Sequence, residues 1–443
     1  MQTAAPIDCV RAALARHPAP RRYLLALSGG RDSVTLLHLM LLLRPQLPAP
    51  LSALHVDHGL QPQSAQWARS CDALCAQAGV PIRILAPADR PPPGASPENW
   101  ARNARYRAIQ AAMIPDDAVL TAHHADDQAE TVLLRLLRGA GPHGLRAMAE
   151  CRPLPPGVLM RPLLGCDGAA IEACARAAGL HWIEDPSNRD TRMDRNYLRL
   201  RVLPALRERW PGLAASLADG AAWQAEAADS IDAQARADLA PLRSGPDALD
   251  VPGLLHLEPV RRAAALRAWI REFTGTSPAR RFIEQVQSEV LGARRDAAPI
   301  AHAPDVELRR HRDRLHRLAP PVACNDGQWV WSPPEPLPIA GGVLFAEPGI
   351  GKGLRRLAPG EAPYIVRLRR GGERGRLPGR AHRSDLKKLF QAAGVPPWER
   401  ARTPLIVQAD RLAAVPGLWV FEPFAARGSD PGWVPIWRPG AAA

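Results

Sequence analysis

Lysine is nearly missing from this chain: Lys352, Lys387 and Lys388 are the only three. Aromatic residues fill 5% of the positions. No apolar run approaches the ~20 residues of a membrane-spanning helix, so no membrane partner is expected. The opening stretch, MQTAAPIDCVRAALARHPAPRR, holds no continuous apolar core and no small-residue cleavage site. That argues against a secretory leader and for a soluble, cytoplasmic protein. The seven cysteines, Cys9, Cys71, Cys75, Cys151, Cys166, Cys174 and Cys324, are scattered. Their number is odd and none forms a CxxC, so neither a disulfide framework nor a zinc ribbon is indicated. Two nucleotide signatures are also missing. GIGKGL at 349–354 has the wrong spacing for a Walker loop and no hydroxyl residue after Lys352, and there is no GxGxxG.

What is present begins with charge. Lysine and arginine total 57 against 44 acidic residues, a surplus of 13, which favours a polyanionic partner such as nucleic acid. Arginine, alanine and proline are all plentiful, so base composition shapes this balance and charge alone decides little. A length of 443 residues exceeds one ordinary core and predicts two or three domains.

The first half alternates strand and helix signals: RRYLLAL, SVTLLHLMLLL, LSALHVDHGL, SAQWARSCDALCAQAG, PIRIL, a proline-rich loop APADRPPPGASP, ENWARNARYRAIQAAM, DAVLTAHH and ADDQAETVLLRLLRG. Such alternation predicts an α/β fold, a doubly wound parallel sheet with crossover helices. Ligands of such sheets sit beyond the carboxyl ends of the strands. The catalytic part is expected over residues 1–209. A mainly helical domain over 210–318 follows, without convincing strands between its two long helices. A proline- and tryptophan-containing linker is expected at 319–339, and a small mixed α/β domain over 340–443. No internal repeat is present.

SGGRDS, Ser28 to Ser33, lies between the first strand and the first helix. Two glycines let a backbone approach a ligand closely, and the free N–H groups of the following helix attract an anion. A plain turn with Asp32 or Ser33 as N-cap is the bland alternative. The complete SGGxDS, with its two hydroxyls, favours a phosphate cradle. In TAHHADDQAET, Asp127 and Glu130 share one face of a first helical turn. A capping box of Asp127 with Glu130 is the competing explanation. Metal binding by His123, His124, Asp126 and Asp127 is disfavoured, because neighbouring histidines on a strand point to opposite faces.

SGGRDS resembles the PP-loop of the ATP-pyrophosphatase superfamily. HVDHGL, ARNARY, HHADDQAETVLLRLLRGAGPHGL, RPLL and WIEDPSNRDTRMDRNYLRLRVLP resemble, in order and spacing, the tRNA(Ile)-lysidine synthetase family. GRAHRSDLKKLFQAAGVPPWERARTPLI resembles that family's tail domain. The match is dense over roughly 20–206; the middle helical domain corresponds in position and character. The resemblance implies an enzyme that adenylates C2 of the wobble cytidine of an isoleucine tRNA with a CAU anticodon. Free L-lysine then displaces AMP to form lysidine. It implies ATP and Mg2+ as cofactors, with a homodimer admitted and no protein metal site.

By the same resemblance, Ser28, Gly29, Gly30, Arg31, Asp32, Ser33, His55 and Asp57 would line the ATP site, with His58 nearby. Asp127, Glu130, Arg102, Arg195 and Asn196 would meet lysine. Asp32, Asp127, Glu130 and Arg105 would carry the chemistry. Free lysine is almost wholly protonated near neutral pH, so a carboxylate must hold the cation and take its proton. Arg102 or Arg105 suits the lysine carboxylate or a phosphate. The basic run from Arg367 to Lys388, with Arg367, Arg369, Arg380, Arg383, Lys387 and Lys388, is expected to meet the tRNA backbone. Trp398 is expected in the core. The rivals are a PP-loop tRNA thiolase, disfavoured by the missing CxxC, an amidotransferase-like ligase without a glutaminase domain, and a non-catalytic RNA-binding protein on the same scaffold.

Overall fold

The computed structural model describes residues 5–59, 61–87, 97–294, 297, 299–320, 327–339 and 341–439. Most of the proline-rich loop at 86–97, part of the expected linker, and Cys324 lie outside them. The chain divides into two compact units, 1–231 and 232–443.

The first unit runs α1 (Pro6–Ala15), β1 (Arg22–Ala26), α2 (Arg31–Leu42), β2 (Leu51–Val56), α3 (Ser64–Gln77), β3 (Ile82–Leu85), α4 (Pro97–Ala112), β4 (Asp117–Leu120), α5 (Ala125–Leu137), α6 (Pro142–Leu145), β5 (Cys151–Leu154), β6 (Gly157–Met160) and α7 (Gly168–Ala177). A continuous helical run follows: α8 (Asp194–Tyr197), a π-helical turn (Leu198–Val202) and α9 (Leu203–Arg209). α10 (Leu213–Leu239) then passes through position 231. The sheet order is β3-β2-β1-β4-β6-β5. β1, β2, β3, β4 and β6 are parallel, and β5 closes the edge antiparallel to β6.

The order reverses next to β1, the first strand, which places a ligand crevice at the carboxyl ends of β1 and β4. β1 and β4 are apolar because both of their faces are covered. Leu25, Leu27, Leu36 and Leu120 pack on one side, and Leu24, Ile109, Val119 and Leu159 on the other. The hairpin of β5 and β6 leaves little trace in the sequence. Each strand is four residues long and prolines interrupt the run, which leaves too short a pattern to read.

The second unit begins with β7 (Ala248–Asp250), α11 (Val251–His256), α12 (Pro259–Thr274), α13 (Arg280–Gln285), β8 (Ile300–Ala303), β9 (Val306–His311) and β10 (Arg314–Leu318). Here the structure departs from the sequence reading. An antiparallel sheet, β7-β10-β9-β8, packs on the helices around Trp269, and its first strand lies between the two long helices. β7 and β8 are only three and four residues long, and the arginines of β9 and β10 hid the apolar alternation.

The rest comprises β11 (Gln328–Trp331), β12 (Leu337–Ile339), β13 (Gly342–Ile350), β14 (Leu354–Arg355), β15 (Tyr364–Arg367), β16 (Arg374–Gly375), β17 (Ser384–Asp385), α14 (Leu386–Ala392), α15 (Pro397–Arg402), β18 (Leu405–Gln408), β19 (Arg411–Val415), β20 (Trp419–Val420) and β21 (Pro431–Pro439). The expected linker is partly built in: β11 pairs with β15 and β12 with β13, burying Trp331 and Ile339.

Candidate active site

β1 delivers the chain to the SGGRDS loop at the carboxyl edge of the sheet. Gly29 has φ +83°, a conformation that side chains with a Cβ rarely adopt. A Cβ there would lie 2.7 Å from Ile183 Cδ1 and 3.1 Å from Cys71 Sγ. Gly30 is the N-cap of α2 and lends it no side chain. The amides of the first turn are left to a ligand, with the helix dipole behind them. Ser28 Oγ and Ser33 Oγ are 3.0 Å apart, and Ser33 Oγ donates to Gly30 O at 2.9 Å. Ile183 N–H donates to Gly29 O at 2.9 Å and backs the loop. His55 is buried beneath, with Nδ1 2.8 Å from Leu27 O. Asp57 Oδ1 accepts from Gly59 N at 2.9 Å and so serves its own turn. Arg31 bridges Asp32 and Glu172, both at 2.8 Å.

Between β4 and α5 the two histidines part. His123 Nδ1 lies 2.9 Å from Thr121 Oγ1. His124 Nε2 lies 3.5 Å from Asp32 Oδ2 and 3.6 Å from Asp127 Oδ2. His124 is also the N-cap of α5, accepting from Asp126 N at 3.3 Å, while Asp127 accepts from His124 N at 3.1 Å. The competing capping box of Asp127 with Glu130 does not form: the box of α5 joins His124 to Asp127 and leaves Glu130 out. Among the described residues no group of three or more His, Cys, Asp or Glu could hold a metal.

Glu130, 1% exposed, faces two guanidiniums. Arg195 Nε donates to it at 2.7 Å and Arg199 Nε at 2.6 Å. Asp127 Oδ1 accepts from Arg195 Nη2 at 2.9 Å and Arg199 Nη2 at 3.1 Å. The two arginines stand four apart on the continuous helical run, hence on one face. Arg207 of α9 reaches Asp126 at 2.5 Å. Burial works to raise the Asp32 carboxyl, but the hydrogen bond and charge of His124, with Arg31, hold it below the ordinary range. Asp127 is likewise held down, against burial, by His124 and Arg195. His124 is correspondingly raised: burial opposes its charge, and Asp32 and Asp127 outweigh burial.

Arg102 and Arg105, both on α4, diverge. Arg105 Nε donates to His58 Nε2 at 3.4 Å, and burial, with Arg105, pushes His58 down to about 4. Arg102 lies 5.5 Å over the Tyr106 ring. Burial also pushes His123 down to about 4; Asp127 opposes that, while Arg161, Arg195 and Arg102 add to it. Asn196 is not turned towards this group. Its Nδ2 donates to Ser187 O at 2.9 Å and Asp190 O at 3.0 Å, pinning the DPSN turn.

The basic run in the second unit splits in two. Arg367 donates to Glu373 Oε1 at 3.1 Å and Arg369 lies 3.4 Å from Glu373 Oε2. The N–H groups of Arg370 and Gly371 donate to the same carboxylate. Arg367 and Arg369, expected on a phosphate-facing surface, are thus largely buried around one acid. Arg380, Arg383, Lys387 and Lys388 are exposed. Trp398 is core, 7% exposed, with edge contacts to His311 and His316 at 5.9 and 5.0 Å.

Sequence reasoning missed Arg199, Arg207, Arg161 and the hub role of His124. RMDRNYLRLR carries the signal for Arg199, since Arg195 and Arg199 sit four apart behind a pair of acids four helical positions or fewer apart. Arg161 opens the RPLL motif, but no local pattern gave it a role.

Residues 8–206 match a family described as a PP-loop domain, 249–316 the TilS substrate binding domain, and 365–437 the TilS substrate C-terminal domain. The tRNA(Ile)-lysidine synthase of Methylococcus capsulatus is 42% identical over 98% of this chain and 99% of its own length. That of Pectobacterium atrosepticum is 40% identical over 94% of each chain. That of Alkalilimnicola ehrlichii is also 40% identical over 94% of each.

Proposed function

The chain belongs to the tRNA(Ile)-lysidine synthase family, and on that premise we propose that it joins free L-lysine to C2 of the wobble cytidine of an isoleucine tRNA with a CAU anticodon, converting ATP to AMP and pyrophosphate. The observation that carries this reading is the link from Asp32, in the phosphate loop, through His124 to Asp127, which shares Arg195 and Arg199 with Glu130. It joins a nucleotide seat to an acidic seat at the carboxyl ends of adjacent strands.

In the first step the amides from Gly29 to Ser33 and the two hydroxyls hold the phosphates and stabilise departing pyrophosphate. The cytidine C2 oxygen attacks the α-phosphorus, and adenylated cytidine forms. Asp32, ionised and partly exposed, fits Mg2+, which is commonly held by one or two carboxylates together with substrate phosphates. Magnesium bound there would neutralise phosphate charge as the phosphoryl bond breaks.

In the second step Asp127 and Glu130 receive the lysine ammonium. Arg199, with a side chain 40% exposed against 23% for Arg195, is the guanidinium that yields its place. The charge of the quartet is then unchanged: one cation replaces another. A carboxylate takes the ammonium proton, the amine attacks C2, and AMP leaves. Arg105 supports the nucleotide side through His58, and Arg102 flanks the lysine side. We assign residues 1–209 to this chemistry. Within 340–443, Arg380, Arg383, Lys387 and Lys388 take the tRNA backbone contacts.

The test is incubation with ATP, labelled lysine and unmodified transcripts. Label in the CAU-anticodon isoleucine transcript, and none in other transcripts, supports the reading; label nowhere defeats it.

A further inference from the structure

Arg161 opens the RPLL motif, to which the proposed chemistry assigns no role. It follows β6 directly. β6 and β4 are parallel neighbours in register at Leu120 and Met160, and Thr121 N–H donates to Met160 O at 3.0 Å. Arg161 therefore leaves the carboxyl edge of the sheet beside the residues that lead to His123, one strand over from the ligand crevice. It is 3% exposed. Nη1 is fixed on Ala149 O at 2.6 Å, while Nε is buried without an acceptor. A buried guanidinium N–H left without an acceptor is costly. Among the described residues no carboxylate pairs with it. Burial holds the guanidinium below its ordinary range, Arg152 and Arg102 add to that, and only the Tyr106 hydroxyl, a neutral partner, works against it.

We propose that Arg161, flanked by Tyr106 and Arg102, is the seat of the lysine α-carboxylate. The proposal rests on the lysine-ligase reading above. His123, which follows β4 as Arg161 follows β6, feels charges of both signs: Asp127 favours its protonation, while Arg161, Arg195 and Arg102 oppose it. A zwitterion whose charged ends are separated by a short methylene chain complements both signs; a phosphate complements one. The carboxylate supplies the charged acceptor that Nε lacks, a stronger partner than the Tyr106 hydroxyl. The same contact predicts that a diamine without a carboxylate is refused.

The test compares the KM for lysine with that for cadaverine, the decarboxylated analogue, in wild-type enzyme and in Arg161→Met, Arg161→Lys and Tyr106→Phe. Wild type should prefer lysine by about ten- to a hundredfold, the worth of a charge-assisted contact in a dry site. Arg161→Met should bring the ratio of the two KM values close to one, and Arg161→Lys should restore part of the preference. The ratio is taken within one preparation, so unfolded protein lowers both rates alike and leaves it unchanged. Tyr106→Phe should keep the preference. A ratio of one in wild type, or a ratio in Arg161→Met equal to that of wild type, overturns the seat. So does a rise confined to the KM for ATP or tRNA, which would make Arg161 a phosphate ligand. Wild type that ligates neither amine fails at the earlier reading and removes both.

Discussion

Two arginine-rich stretches, 192–209 and 367–383, look alike in sequence, and acids from different places divide them. In the first, distant acids take part of the run: Asp127, Glu130 and Asp126 hold Arg195, Arg199 and Arg207, while Arg192, Arg201 and Arg209 stay exposed. In the second, one acid divides the run: Glu373 takes Arg367 and Arg369 and leaves Arg380 and Arg383 in water. Buried acids, not the density of bases, decide which cations remain for a polyanion. Most exposed ion pairs contribute little, whereas a buried acid stripped of its partners is costly.

The sharpest break in this contrast should come from Asp32→Ala, which removes the member of the first network that faces the phosphate loop. Pyrophosphate release should fall about 10²–10³-fold, a loss typical of a single transition-state contact; undiminished release would take Asp32 out of the site. Glu130→Ala comes next. The KM for lysine should rise about 30- to several-hundredfold while the KM for ATP stays within a factor of two or so. If both constants hold and only the melting temperature drops, Glu130 is a packing residue.

Glu373→Ala is the matching cut in the second stretch. It should cost about 3 kcal/mol of stability, as removal of one partner from a buried ion pair does, measured as a shifted urea midpoint. Burial opposes the charge of Glu373, but the amide of Arg370 and the Arg367 side chain hold its carboxyl below the ordinary range. That stabilisation is present above the unfolded value of ~4.3 and fades as pH falls through the lower folded one, so the variant should show a flatter acid limb.

The histidines carry the opposite sign. Burial pushes His123 in the first unit and His316 in the second down to about 4. As pH falls from ~6.5 the unfolded chain takes up protons that the folded units refuse. Stability should decline until about pH 4, and His316→Gln should lessen the slope; a profile identical to wild type would remove His316 from the account. The smallest effect belongs to Lys387→Ala and Lys388→Ala. Each should weaken tRNA binding by a few-fold at most, equally for all sequences, and lower the salt slope by about one. An unchanged slope would mean that α14 stays clear of the nucleic acid.

The phosphate loop and the acid pair were legible because each is contiguous. A strand end, a helix start and their polar residues lie within one short segment, where spacing alone aligns them. The quartet was half legible: Arg195 meets Glu130 across 65 residues of chain, and Arg199 joins only through a helix whose register includes a π turn. Arg161 was legible only as the first residue of RPLL, without a role, because its place depends on β6, a strand too short to recognise, settling beside β4. The burial of Arg367 and Arg369 was hidden for a different reason. A loop had to close on Glu373 with two backbone amides, and charge runs carry no mark of that closure.

One stretch of backbone touches both seats. Ile183 backs Gly29, Asn196 clamps the turn that follows, and Arg195 and Arg199 rest on the acid pair. The interval from Ile183 to Arg199 is thereby a spacer of fixed length, like the bar between two wheels on an axle. Growth or loss of residues there would throw both ends out of gauge together, so this interval must change by substitution and leave changes in length to other parts of the chain.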